Sequence, residues 1–157
     1  MDLPELWVPV VVVLTTFAVA VLSGFVPVVN TELYLIGVAA LAPLGAVPVL
    51  VLSATLGQMA AKSAMYLVGR GALTLPFLRR QQRLSRVQQQ LRDRSDRVSL
   101  FVFVSASLGF PPFYIVSVAC GMLEVAFSAF FTAGLLGRLV RFAFFASLPQ
   151  LGKELLA

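Results

Sequence analysis

Three ionisable residues stand where apolar sequence gives them no water. Glu32 lies in GFVPVVNTELYLIGVAALAPLG, residues 24–45, and Arg138 and Arg141 lie in AFSAFFTAGLLGRLVRFAFFASLP, residues 126–149. On a helix the two arginines fall one turn apart on one face. Guanidinium matches carboxylate and phosphate through two parallel hydrogen bonds. Arginine at bilayer depth costs at least about 2.5 kcal/mol on insertion scales. The arginines should therefore face an acidic partner, water or an anionic lipid headgroup, and Glu32 is the candidate partner. Asn30 and Glu124 are the other polar candidates for a substrate or ion pathway.

Other chemistries lack their residues. The 157-residue chain has no histidine, which removes imidazole metal sites, Ser-His triads and histidine proton shuttles. Its one cysteine, Cys120, cannot form an internal disulfide and reads as a small buried apolar residue. Asp93 and Asp96 have helical spacing but sit among arginines, as on a solvated face. We expect no enzyme activity, no metal and no cofactor.

The elements that must position the charged residues are membrane elements. The chain is 59% hydrophobic and 12% charged, against roughly 45–50% and 25% in soluble domains, and its mean hydropathy is +0.94. Residues 7–23 read as a transmembrane helix, and 24–45 as a re-entrant hairpin broken at Pro27, with Asn30-Thr31 capping a new helix near Glu32; the alternative is one long kinked span over 7–42 with Glu32 just past its exit. Broken backbone survives at membrane depth only against protein or a wet cavity. Residues 46–70 read as a second span, with Gly57, Ala60, Ala61 and Ala64 on a small-residue stripe. Lys62 in that span either snorkels or faces an interior carboxylate. Residues 98–125 read as a second re-entrant hairpin broken at Pro111-Pro112, and 126–149 as a third span. The expected fold is thus an all-α integral membrane protein of one domain.

The net charge of +5 resides in residues 79–97, which hold seven arginines and two aspartates. Residues 71–97 read as a basic amphipathic segment on the membrane surface or as a plain solvated connector. By the positive-inside rule this segment is cytoplasmic. Its charge gives no reason to expect a nucleic-acid partner.

Two tetrapeptides recur in the same order. Gly24-Phe25-Val26-Pro27 is echoed by Gly109-Phe110-Pro111-Pro112, and Leu67-Val68-Gly69-Arg70 by Leu135-Leu136-Gly137-Arg138. With the arginine-rich segment inside, the first hairpin dips in from outside and the second from inside. That is an inverted repeat, the pattern in which broken helices meet near the midplane of transporters.

The ordered set resembles the DedA family, whose members are also called VTT-domain or SNARE-associated Golgi proteins. The set comprises Pro27 and Glu32, then Gly57, Tyr66, Gly69 and Arg70. A basic stretch and a proline hairpin reaching Ala119-Cys120-Gly121-Met122 follow, and Gly137-Arg138 completes it. The resemblance runs over residues 20–145. It implies two oppositely facing re-entrant hairpins and lipid transport, either scrambling or translocation of anionic lipids. The family's first-hairpin glutamate matches Glu32, and its Tyr-x-x-Gly-Arg motif matches Tyr66 and Arg70. The chain departs from the family in having Gln58 where an acid is common after the glycine. Ser105, Ser107 and Phe113 stand where arginines often flank the second proline.

Two functions remain. One is a lipid transporter or scramblase in the cell membrane, its partners being lipids with anionic headgroups and a homo-oligomer being compatible with it. The other is a structural or assembly membrane protein serving envelope integrity, in which the intramembrane charges only hold the bundle together.

Overall fold

The computed structural model describes residues 3–26, 28–72 and 95–156. Pro27 and nearly all of the basic segment expected at 71–97 lie outside the described residues. Among the described residues the regular structure is entirely helical. The described residues form six α-helices in chain order: α1 (Leu3–Phe25), α2 (Thr31–Leu41), α3 (Val47–Ala72), α4 (Ser95–Leu108), α5 (Phe113–Met122) and α6 (Phe127–Leu156). A 3₁₀ turn, Leu44–Ala46, leads into α3.

The two expected breaks occur where the local chemistry puts them. After α1, Val29 N–H donates to the Val26 carbonyl at 3.1 Å. Asn30 then caps α2, its side-chain oxygen accepting from the N–H groups of Glu32 (2.9 Å) and Leu33 (3.2 Å). Two of the orphan donors of the first turn are thereby satisfied. Glu32 sits in that same first turn, where the helix dipole favours a negative charge. The helix stops at Ala42, whose extended backbone (ψ 150°) precedes Pro43 as proline requires. In the second half α4 ends on Gly109, which takes a left-handed φ of 80° that costs glycine nothing. Ser105 Oγ donates to the Pro111 carbonyl at 2.7 Å and ties the turn to α4.

Among the described residues two helices are long and apolar enough to cross a membrane, over Leu44–Gly71 and Phe127–Gly152. At 1.5 Å per residue, α2 with 11 residues and α5 with 10 reach only about 16 and 15 Å, half of the roughly 30 Å hydrocarbon core. Hydroxyl side chains on the helices bond back to their own backbone. Thr16 reaches the Val12 carbonyl, Thr55 that of Val51, Ser117 that of Phe113 and Thr132 that of Ser128, each at 2.7 Å.

The chain divides into two compact units, Met1–Ala60 with Leu139–Ala157, and Ala61–Arg138. The core of the first is built by Ala20, Leu35, Ala39, Leu50, Val51, Ala54, Phe142 and Ala146. That of the second is aromatic: Tyr66 stacks on Phe130 at 5.1 Å, and Phe130 on Phe113 at 6.0 Å.

Each unit contains a glycine pressed against a phenylalanine carbonyl and an alanine of a neighbouring helix. A Cβ on Gly57 would lie 2.5 Å from the Phe17 carbonyl oxygen and 2.9 Å from Ala20 Cβ on α1. A Cβ on Gly137 would lie 2.6 Å from the Phe103 carbonyl oxygen and 2.7 Å from Ala106 Cβ on α4. In both cases the contacts are a phenylalanine carbonyl and an alanine three residues later. By this packing Gly137 resembles Gly57, whereas Gly69 packs on the Val118 carbonyl of α5. Leu67-Val68-Gly69-Arg70 and Leu135-Leu136-Gly137-Arg138 therefore occupy different places, because a short apolar tetrapeptide says nothing about which helix its glycine meets.

Candidate functional site

In the first unit, Arg141 on α6 donates from Nε to Glu32 Oε1 on α2 at 2.8 Å. The side chains are 20% and 17% exposed, so the pair is largely withdrawn from solvent. Arg141 also lies over the Phe145 ring, 5.3 Å from its centre. The expected meeting of Glu32 with an arginine of the third span thus occurs, and the structure assigns the bond to Arg141. Asn30 stands beside it as the cap of α2, which holds the first turn carrying Glu32.

One turn structure of α3 meets the same hairpin. Gln58 Nε2 donates to Ser23 Oγ at 3.0 Å and to Thr31 Oγ1 at 3.2 Å. Gln58 is buried and its Oε1 has no hydrogen-bond partner among the described residues. The family's frequent acid at this position is replaced here by an amide that donates, so the two hydroxyls are acceptors.

In the second unit, Arg138 is only 7% exposed and its guanidinium lies over the Phe113 ring, 5.0 Å from the centre. A desolvated cation over an aromatic face gains about 2 kcal/mol. Lys62 is 4% exposed, so it is withdrawn from solvent rather than snorkelling, and the neighbours seen here are a ring and a sulfur instead of the expected carboxylate. Its Nζ lies 6.0 Å from the centre of the Tyr114 ring and 3.9 Å from Met65 Sδ. A buried ammonium and a buried guanidinium, each with an aromatic ring, thus belong to one unit. No local sequence signal separates Lys62 from a snorkelling lysine or pairs Phe113 with Arg138 and Tyr114 with Lys62, because each ring lies far along the chain from its cation.

The Tyr-x-x-Gly-Arg motif is architectural. Tyr66 is fully buried and donates to the Val125 carbonyl at 2.6 Å. Gly69 lies against the Val118 backbone, and Gly121 on α5 against the Tyr66 carbonyl and the Arg70 N–H. The tyrosine and the glycines therefore lock α3 against α5 at a backbone-to-backbone crossing, while Arg70 is exposed. Pro111 and Pro112 break the second hairpin as expected, with Pro112 at the N-cap of α5. Glu124 terminates that helix. Its φ is 53°, its N–H donates to the Gly121 carbonyl and the Val125 N–H to that of Cys120. These are the two bonds of a Schellman stop, with glutamate where glycine is usual. Glu124 is exposed, and this capping role is what its position shows.

Among the described residues, no group of three or more histidine, cysteine, aspartate or glutamate side chains could hold a metal ion. Cys120 is buried and free, as the sequence suggested.

Comparison with known proteins gives one result. Neither the curated proteins nor the solved structures include a match to the chain. The VTT domain family model matches residues 8–151. Together with helices apolar enough to cross a bilayer, the match fixes the class: the chain belongs to the VTT-domain family, and it is a membrane protein of the DedA type.

Proposed function

We propose that the protein moves lipids with anionic headgroups between membrane leaflets. One observation carries the reading: cationic side chains are withdrawn from solvent on otherwise apolar helices, with Arg141 on Glu32 at 2.8 Å and with Lys62 and Arg138 buried. Ionisable residues at membrane depth mark substrate and ion paths, and arginine is suited to phosphate. The short helices α2 and α5 support a re-entrant reading of both hairpins, inserted from opposite sides as an inverted repeat. In this reading the 79–97 segment lies on the cytoplasmic side of the cell membrane. Glu32 holds Arg141 when no lipid is present, and a headgroup phosphate replaces the carboxylate. The protein acts without enzyme chemistry or a cofactor.

The test is flux in liposomes containing the purified protein, followed by dithionite quenching of a headgroup-labelled phosphatidylglycerol. Wild type should exceed empty vesicles, and Arg138→Ala and Arg141→Ala should fall toward the empty-vesicle rate. Wild-type flux no faster than the variants sinks the proposal. The close geometry of the Glu32–Arg141 bond favours a second reading, in which the pair only fastens α2 to α6 within an assembly protein. Under that reading Glu32→Gln with Arg141→Gln keeps the fold, and wild type carries no flux.

A further inference from the structure

The first unit contains a cleft of about 880 Å³ between α1, α2 and the start of α3, within the roughly 300–1,000 Å³ typical of ligand sites. Its walls include Val12, Val13, Val38, Ala42 and Leu50, all apolar. The polar groups on it are the hydroxyls of Thr15 and Tyr34. Thr15 Oγ1 lies 2.9 and 3.0 Å from the carbonyls of Val11 and Val12, and Thr16 Oγ1 lies 2.7 Å from that of Val12. Both threonine protons are thus used within α1. The Tyr34 phenol meets the two threonine oxygens only at 3.4 and 3.3 Å, long for an O–H···O bond, which centres on about 2.7–2.8 Å. Its hydroxyl is thus held only loosely by the threonines, and the Tyr34 side chain lines the cleft.

The rim decides the occupant. Leu41 is 91% exposed and Val49 about half exposed, and both border the cleft. Val10, Leu14, Leu44 and Leu52 of the same unit are also exposed apolar residues. In a membrane protein such a surface is already covered by hydrocarbon, and the cleft opens from it. A buried water needs two to four polar partners, which this lining does not supply across its volume.

We infer that the cleft is a binding site for the hydrocarbon chain of a membrane lipid, with Tyr34 donating to an oxygen acceptor at the chain's polar end. A lipid ester or phosphate oxygen supplies that acceptor. The inference deepens the transport reading by placing the tail of the lipid, and it rests on that reading only for movement, since binding is measured without flux.

The test uses the full chain in liposomes containing a phosphatidylglycerol with a diazirine at the end of one acyl chain. After photolysis the labelled residues are mapped by mass spectrometry. Label should concentrate on Val12, Val38 and Ala42, and unlabelled long-chain phosphatidylglycerol should compete it away there. Leu33, exposed on α2 and outside the cleft lining, should show weak, uncompeted label. Ala42→Phe should remove the cleft label. Tyr34→Phe, which keeps the ring, should weaken competition by phosphatidylglycerol and leave competition by hexadecane unchanged. Label spread evenly along α1 and α2 without competition overturns the proposal as annular lipid only, and so does cleft label indifferent to both substitutions. Flux lost with cleft label intact counts against transport alone, and cleft label lost with flux intact counts against this site alone.

Discussion

The two units use the same packing device to position opposite chemistry. In each, a glycine lies on a phenylalanine carbonyl and an alanine, Gly57 on Phe17 and Ala20, Gly137 on Phe103 and Ala106. In each, the residue after that glycine reaches the first residue of a short helix. Gln58 hydrogen-bonds Thr31, the first residue of α2, and Arg138 lies over the ring of Phe113, the first residue of α5. One unit thus has an amide among hydroxyls and the other a guanidinium on an aromatic face. The backbone fixes where a side chain is delivered, and the side chain alone sets the charge there. Similar glycine packing in the two units therefore leaves each unit free to carry its own side-chain chemistry.

The comparison is broken most sharply at the charges. Removing one member of a largely buried ion pair leaves the other uncompensated, at a cost of about 3 kcal/mol. Glu32→Gln or Arg141→Gln alone should each lower stability by about that amount in denaturant unfolding of the detergent-solubilised protein, and the double variant should recover most of it. Additive losses would remove the pair from the account of the first unit.

The glycines sharpen it next. Gly57→Ala and Gly137→Ala each force a Cβ against a backbone carbonyl, and overpacking of that kind costs about 1–3 kcal/mol. The two losses should match to within about 1 kcal/mol, while Gly37→Ala, whose Cβ would meet nothing within 4 Å, should gain up to about 1 kcal/mol from helix propensity. A large loss at only one of the two packed glycines would undo the shared register. The smallest effect concerns a difference between the hairpins. α2 stops at extended Ala42, whereas α5 stops at left-handed Glu124. Glu124→Gly should raise thermal stability by up to about 1 kcal/mol, and a loss instead would give the glutamate side chain work beyond the cap.

Signals carried by neighbours in sequence were legible, and those carried by distant segments were not. Asn30 two residues before Glu32 and the Gly109–Pro112 break are local signals, and both appear in the structure as the cap of α2 and the turn before α5. The Glu32 partner was narrowed to two arginines one turn apart, and three residues along one helix decide which unit a side chain belongs to. No local rule supplies that choice. Lys62 shows the same limit, since its apolar stem suits either a snorkelling or a buried ammonium until the surrounding helices are placed. Gln58 departs from its family, and its bonds to Ser23 and Thr31 make it a donor that joins α3 to both sides of the break.

The back-bonded hydroxyls bear on how the chain enters a bilayer. Thr16, Thr55, Ser117 and Thr132 carry their acceptors with them one turn away, so a helix presents each as a short, self-contained loop with no outstanding demand on its surroundings. A hydropathy index scores these residues as polar wherever they occur and so understates how readily α1, α3, α5 and α6 part from water. A translocating chain would meet them as near-equivalents of alanine and valine, and drift between those residue types can proceed at such positions while the path of the backbone stays the same.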